Sequence, residues 1–348
     1  MAEITKEKLL ETLATVMETK SGKDIVSLNM VSGIDIKGEK VSVSLSVDPQ
    51  RSAEFDELRK SAQRALESLS GVASAAVILT AEKTPQNSQP NIKHFIAIAS
   101  GKGGVGKSTV ASNLAQALTA MGKKVGLLDA DIYGASQPRM MGIWQKPEID
   151  DNNKIIPPIS NGIKVMSIGF FMNEESPLIW RGPMVHSAIN QLINDVAWGD
   201  LDVLVIDTPP GTGDVQISLA QKLPLSGAVI VSTPQAVALS EAKKSLLMFR
   251  KVNTPIIGMI ENMSYHVCQG CGQREDIFDH GKTRQMAKAL RTEFLGEIPL
   301  NASIRQAGDE GTLLGVTDSK HEISEIYKNI AARIWLGLPA VAPYKASA

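Results

Sequence analysis

From residue 95 onward, short runs of consecutive apolar residues alternate with stretches of helical spacing. The runs fall at 95–99, 125–128, 165–168, 203–206, 228–231 and 256–260, and residues 110–121 space their apolar positions as a helix between the first two. Continuous apolar runs of this length predict strands buried on both faces, and helices joining them predict a parallel sheet. Earlier in the chain the pattern differs. Residues 8–17 place Leu9, Leu10, Leu13, Val16 and Met17 at helical spacing, 41–47 alternate apolar with polar, 55–66 read as a second helix and 75–80 as a strand. The polar stretch Thr84-Pro85-Gln86-Asn87-Ser88-Gln89-Pro90-Asn91 separates the two regimes. The pattern therefore predicts a small α+β domain over 1–83, a linker over 84–92, an α/β domain over 93–336 whose mainly parallel sheet is covered by helices on both faces, and a Pro/Ala-rich tail over 337–348 that frays.

Composition narrows the function classes. Across 348 residues, 36 Lys+Arg balance 37 Asp+Glu for a net charge of -1, which gives no electrostatic case for nucleic acid or an anionic membrane. The N-terminus mixes charged with apolar residues and has no signal-like apolar stretch, and no run approaches the roughly 18 apolar residues of a spanning helix. A cytoplasmic protein is expected, with no membrane and no nucleic acid as partner. The two cysteines, Cys268 and Cys271, are too few for a disulfide framework, so reduced thiols are expected.

The segment Gly101-Lys102-Gly103-Gly104-Val105-Gly106-Lys107-Ser108 satisfies G-x-x-x-x-G-K-[ST] between a predicted strand and a predicted helix, with Thr109 next. Glycines let successive backbone N–H groups turn toward phosphate oxygens, and the helix N-terminus adds its positive dipole end. Lys107 then neutralises β/γ-phosphate charge, and the Ser108 hydroxyl ligates Mg²⁺. Asp207 closes the run 203–206, where a parallel strand delivers its last side chain to a ligand crevice, the position that holds Mg²⁺ through water. The turn-rich Thr208-Pro209-Pro210-Gly211-Thr212-Gly213-Asp214 follows and suits a γ-phosphate sensor. Asp129-Ala130-Asp131 ends the run 125–128 by the same geometry, and Asp131 is placed to orient an attacking water or support the metal. Helix capping or a turn is the competing role for both carboxylates, more so for Asp129. ATP and Mg²⁺ are the expected ligands, and an ATPase the expected activity.

Lys102 beside Gly103-Gly104 gives the loop the form K-G-G-x-G-K-[ST], which resembles the signal-recognition/MinD/nitrogenase-iron-protein class of dimeric ATPases. That resemblance implies that Lys102 reaches the partner's nucleotide across a two-fold dimer. Taken with Asp129-Ala130-Asp131-Ile132-Tyr133-Gly134, Asp207 to Asp214, Glu261-Asn262-Met263-Ser264 and Cys268-x-x-Cys271, the residues from about 92 to 332 are similar to Mrp/ApbC-type iron-sulfur cluster carriers. The resemblance implies an adenine-reading role for Asn262, with Ile298-Pro299-Leu300 near the base. The first domain resembles the MIP18-like domain often fused to such carriers. It departs from that family at Thr19-Lys20-Ser21-Gly22-Lys23-Asp24, where an acidic Asp-Pro-Glu is replaced, and it has no cysteine.

Cys268-Gln269-Gly270-Cys271 offers two thiolates, whereas a cubane cluster takes four, so a cluster would be shared by a homodimer. Spacing alone leaves other roles open: a Cys₂His₂ zinc site with His266 and His280, a redox pair, or an inert one. The family resemblance selects a [4Fe-4S] cluster and, as partners, apo iron-sulfur proteins. A MinD/ParA-like positioning ATPase is the alternative, as is an ATPase with structural zinc. A nitrogenase-like reductase would need further cysteines, and none occurs before Cys268. His94, His186 and His321 form no cluster, and residues 246–249 read as a core helix face.

Overall fold

The alternation at 41–47 becomes the middle strand of a three-stranded sheet. In the computed structural model, which describes residues 5–18, 22–28, 30–47, 55–81, 91–131, 134–171, 182–314 and 322–339, the chain separates into two compact units between Asn87 and Ser88. The first unit runs α1 (Lys6–Leu13), β1 (Val31–Lys37), β2 (Lys40–Val47), α2 (Asp56–Glu67), β3 (Ser74–Ala81). β2 pairs antiparallel with β1 and parallel with β3, as a strand–helix–strand unit around α2 requires. Leu9, Leu13, Val43, Leu45, Ala62 and Leu66 are fully buried in its core. The helix predicted over 8–17 stops at Leu13. The Thr12 and Thr15 hydroxyls bond back to the Lys8 and Thr12 carbonyls at 2.9 and 2.7 Å, and Met17 instead bridges Asp24.

The second unit begins with β4 (Asn91–Ala99), which corrects the predicted linker boundary. Asn91 and Ile92 already pair with Asp200 and Leu201, because burying the Ile92 side chain favours extending the strand. There follow α3 (Lys107–Ala120), β5 (Val125–Asp129), α4 (Gln137–Met140), the short pair β6 (Glu148–Ile149) and β7 (Ile155–Ile156), then β8 (Ile159–Ser160), β9 (Ile163–Ser167), α5 (Gly182–Asn194) and β10 (Asp200–Asp207). The chain continues through α6 (Asp214–Lys222), β11 (Gly227–Ser232), α7 (Ala236–Lys251), β12 (Ile256–Glu261), the hairpin β13 (His266–Val267) and β14 (Arg274–Glu275), α8 (Lys282–Ala289), β15 (Phe294–Glu297), α9 (Ala302–Glu310) and the helix Glu322–Leu336.

One eight-stranded sheet has the order β15-β12-β11-β4-β10-β5-β9-β8, parallel throughout except for the edge strand β8. α3 and the helix Glu322–Leu336 pack together against it. α5, α6, α7 and α8 form a second contacting row, reached by crossovers that run the opposite way along the sheet. The apolar runs fill the interior: Ile98, Val205, Leu127 and Ile230 are at most 1 % exposed, each worth about 1.5–3 kcal/mol of transfer free energy. No helix of the described residues is long and apolar enough to cross a membrane.

The connections leaving β4 and β10 diverge to opposite sides of the sheet. Their C-terminal ends, with that of β5, therefore open onto a crevice at the switch point. Ile132, Tyr133, residues 19–21, His321, the linker to Pro90 and the tail from 340 lie outside the described residues.

Candidate functional site

Three strand ends converge in that crevice. Asp207 pairs in register with Ile98 on one side and Asp129 on the other, so the loop after β4 and both acidic strand ends meet. Between β4 and α3, Gly104 and Gly106 adopt φ of 80° and 81°, a conformation only glycine takes without strain, and Gly106 caps the N-terminus of α3. The loop closes a hollow of about 210 Å³ lined by Gly103, Gly104, Lys107, Ser108, Asp131 and Pro210, among others.

Gly101 has a different reason to be glycine. A Cβ there would lie 2.0 Å from the carbonyl carbon of Glu241 in α7, so loop and helix are in backbone contact. Gly101→Ala is expected to destabilise the protein by about 1–3 kcal/mol or more through overpacking. Urea unfolding checks it, and an unchanged midpoint would mean that α7 yields without cost.

Lys107 is 6 % exposed, and its Nζ donates to Asp207 Oδ1 and, at 3.4 Å, to Asp131 Oδ2. Cation and carboxylates thus neutralise one another in a site that water barely reaches. The two acidic positions of the first cluster separate cleanly. Asp129 accepts the N–H groups of Asp131, Ser136 and Gln137 and the Ser167 hydroxyl, at 3.0 to 3.1 Å, so it organises the turn into α4. Burial, with the Asp207 charge beside it, pushes its carboxyl up to about 7. Asp131 faces the hollow; burial raises its pKa against the pull of Lys107, and its Oδ1 is buried with no hydrogen-bond partner.

Sequence reasoning passed over Gln137. It is fully buried, and its Nε2 donates to Asp207 Oδ2 at 2.9 Å and to the Ser108 carbonyl at 3.0 Å. No spacing rule marks it, since its partners lie 29 and 70 residues away. After β10, the Thr208 hydroxyl bonds the Ile98 carbonyl at 2.9 Å, Gly211 N–H bonds the Ser100 carbonyl at 2.9 Å, and Gln216 Nε2 holds Thr208 Oγ1 at 3.3 Å. Lys102 is half-exposed at the mouth of the hollow, its carbonyl taken by the Ser100 hydroxyl at 3.0 Å.

A second cavity of about 520 Å³ shares Gly106 and Thr109 with the first and extends past Asn262, Met263, Pro299 and Leu300. Asn262 Nδ2 donates to the Val105 carbonyl at 2.8 Å, which ties this wall to the loop. The joined hollows are polar and glycine-lined at one end and mostly apolar at the other, a division that matches phosphates and a base.

The cysteines sit on the turn between β13 and β14. Cys268 N–H bonds the Gln273 carbonyl at 2.9 Å, Gly272 N–H bonds the Cys268 carbonyl at 2.8 Å, and Gly272 takes φ 74° to close the turn. Both thiols are free, Cys268 half-buried and Cys271 exposed. The Cys271 N–H, then the Gly270 N–H and the Cys271 thiol, point at Cys268 sulfur and hold its pKa below the usual thiol range. The flanking imidazoles are engaged elsewhere: His266 Nδ1 with the Leu300 carbonyl at 3.1 Å, His280 Nε2 with Glu297 Oε2 at 3.0 Å. Among the described residues, no three His, Cys, Asp or Glu side chains are grouped to hold a metal ion.

Comparison with known proteins matches each of the two units to a family of its own. Residues 6–77 match the family described as iron-sulfur cluster assembly protein, and residues 91–335 the family described as NUBPL iron-transfer P-loop NTPase. The chain is 46 % identical over 284 residues to an iron-sulfur cluster carrier protein of Pseudomonas fragi, covering 79 % of this chain and 99 % of that one. Its identity to the iron-sulfur cluster carrier protein of Helicobacter pylori is 40 % over 337 residues, covering 94 % and 91 %. Among solved structures, a nucleotide-binding protein of Archaeoglobus fulgidus in complex with ADP aligns with TM-score 0.59 and 38 % identity, over 68 % of this chain and 93 % of that one. The cell-division ATPase MinD of Pyrococcus furiosus aligns with TM-score 0.53 and 21 % identity, over 70 % and 99 %, a likeness of fold. With its glycine-lined loop, buried lysine and paired acidic strand ends inside the matched region, the chain belongs to the NUBPL iron-transfer P-loop NTPase family.

Proposed function

We propose that the protein is a cytoplasmic, ATP-dependent iron-sulfur cluster carrier that holds a [4Fe-4S] cluster between two copies of itself and passes it to apo iron-sulfur proteins. The amides of residues 101–108 and the dipole of α3 take the phosphates, with Lys107 supplying the cation. Ser108 and Asp207 hold Mg²⁺, which when bound neutralises charge on the β- and γ-phosphates. The hollow's chemistry fits that group: hydroxyl and carboxylate oxygens lie together, and Asp131 Oδ1 is a buried acceptor without a donor. Asp131 orients the attacking water, Lys102 reaches the partner copy's phosphates, and Asn262 lies beside the base. ATP binding and hydrolysis shift the dimer between holding and releasing its cargo through the loops after Asp131 and Asp207.

One observation carries the cargo assignment. Each chain presents two thiols on one turn, and among the described residues no third His, Cys, Asp or Glu side chain is grouped with them to hold a metal ion. A four-sulfur site then needs two chains about a two-fold axis. Anaerobic reconstitution with iron and sulfide is expected to give a broad violet-blue absorbance and about four iron per dimer, unchanged in His266→Ala and His280→Ala. One zinc per chain, lost in either histidine variant, would overturn the assignment in favour of structural zinc. The positioning-ATPase alternative predicts co-sedimentation with liposomes or DNA, and the present reading predicts none.

A further inference from the structure

Gln137 has a geometry that packing alone does not ask for. Its single side-chain amide nitrogen bridges two groups on different elements, the Asp207 carboxylate at the end of β10 at 2.9 Å and the Ser108 backbone carbonyl in the first turn of α3 at 3.0 Å. Its own backbone N–H is held by Asp129 Oδ2 at 3.0 Å, and its Oε1 is buried without a hydrogen-bond partner. Asp207 therefore uses its two oxygens separately, Oδ1 toward Lys107 and Oδ2 toward Gln137.

We propose that Gln137 is a positioning residue for the magnesium site, fixing Asp207 against the start of α3 so that carboxylate and Ser108 hydroxyl are presented together. The proposal rests on the magnesium–nucleotide reading of the crevice. Its physical logic lies in the charge of an amide. A lysine or arginine at 137 would set a second cation against Asp207, which already pairs with Lys107, and an aliphatic side chain would leave Oδ2 without a partner. A carboxamide restrains the carboxylate and adds no charge of its own.

The same residue ties two acidic strand ends together. Asp129 fixes the Gln137 amide, and Gln137 fixes Asp207, so the turn after β5 and the end of β10 are joined by hydrogen bonds in series. Gln137 also opens α4, and Ser136, Arg139 and Met140 beside it line the 520 Å³ cavity. The position of α4 is thereby linked to the carboxylate at one end and to the cavity wall at the other.

The test is a calorimetric titration of the full-length protein with ADP, with excess Mg²⁺ or with chelator, comparing the natural protein with Gln137→Leu and Gln137→Asn. The asparagine is shorter by one methylene and cannot span both partners. Both variants are expected to lose about tenfold of the Mg²⁺-dependent gain in ADP affinity, while affinity in chelator stays within about twofold. Mn²⁺ binding to the ADP complex, followed by electron paramagnetic resonance, is expected to weaken in parallel, and this readout serves if one variant folds poorly. An equal loss of affinity with and without Mg²⁺ would show that Gln137 only packs the site and overturns the proposal. An undiminished Mg²⁺ gain in both variants overturns it too. Absence of any Mg²⁺ gain in the natural protein would instead sink the magnesium reading, and this inference with it.

Discussion

Lys107→Ala is expected to weaken ATP and ADP binding by about 10–100-fold, because a hydrogen bond to a charged group contributes about 1.5–3 kcal/mol and the phosphates would lose the buried Lys107 cation. A second effect comes from the ligand-free protein. Lys107 lies between Asp207 and Asp131, and removing it leaves two carboxylates without a cation where water hardly enters. Breaking a buried pair from one side costs about 3–5 kcal/mol, part of which the carboxyls relieve by binding protons. The pH dependence follows with a definite sign. Burial already raises Asp131 above its unfolded value, and losing the lysine raises it further. A carboxyl whose folded pKa is raised contributes stability below its unfolded pKa near 4 and loses it as pH climbs through the folded value. The variant should therefore approach the natural protein's melting temperature near pH 4 and fall behind it toward neutral pH. Calorimetry and thermal melts separate the two effects. Unchanged nucleotide affinity would remove the phosphate site, and a pH-independent stability difference would remove the charge argument.

The parts of the molecule that local patterns specify were legible in the sequence. The central strands β4, β5, β10, β11 and β12 each contain a run of four or five residues with no polar side chain, because both faces of that run are buried, and the loop after β4 has glycines wherever φ or a close approach demands them. The edges were not legible. A register shift between Val31 and Gly33 interrupts the alternation of β1, and β15 is a four-residue Phe-Leu-Gly-Glu whose polar end faces His280 and Arg284. Side-chain roles that depend on tertiary partners were hidden too. The sequence favours a cap or turn role for Asp129 over Asp131 without showing the contacts that decide it. Only their surroundings distinguish a carboxylate saturated by three N–H groups and a hydroxyl from one with an oxygen left over. Gln137 and Glu261 are the same kind of residue. Glu261 accepts from the Ser264 hydroxyl at 2.6 Å and from the Gly281 and Thr283 N–H groups at 3.0 and 2.8 Å, fastening the chain beyond the cysteine hairpin to the end of β12, which Asn262 follows.

That fastening bears on the second large effect. The hairpin is anchored at its base, where Leu300 N–H bonds the Tyr265 carbonyl at 2.7 Å and the Leu300 carbonyl meets His266, while Cys268 and Cys271 stand beyond it. Cysteine-to-serine changes should therefore leave the base cavity and the phosphate hollow intact, since neither cysteine lines them. Cys271→Ser and Cys268→Ser are each expected to reduce reconstituted iron to below about a tenth of the natural protein's, because in a two-fold dimer each substitution removes two of the four sulfur ligands. The two should differ in their remaining chemistry. Cys268 owes its lowered pKa chiefly to the Cys271 N–H, which a serine at 271 retains, so Cys271→Ser keeps a thiol at 268 that is expected to alkylate faster than an ordinary cysteine at the same pH. Cys268→Ser keeps only the thiol at 271. Iron and sulfide analysis, iodoacetamide labelling and ADP titration of the same preparations check all three points. A Cys271→Ser protein that assembles the full cluster would exclude the shared-thiol site. Loss of ADP binding alongside the cluster would show instead that hairpin and nucleotide cavity fold as one unit.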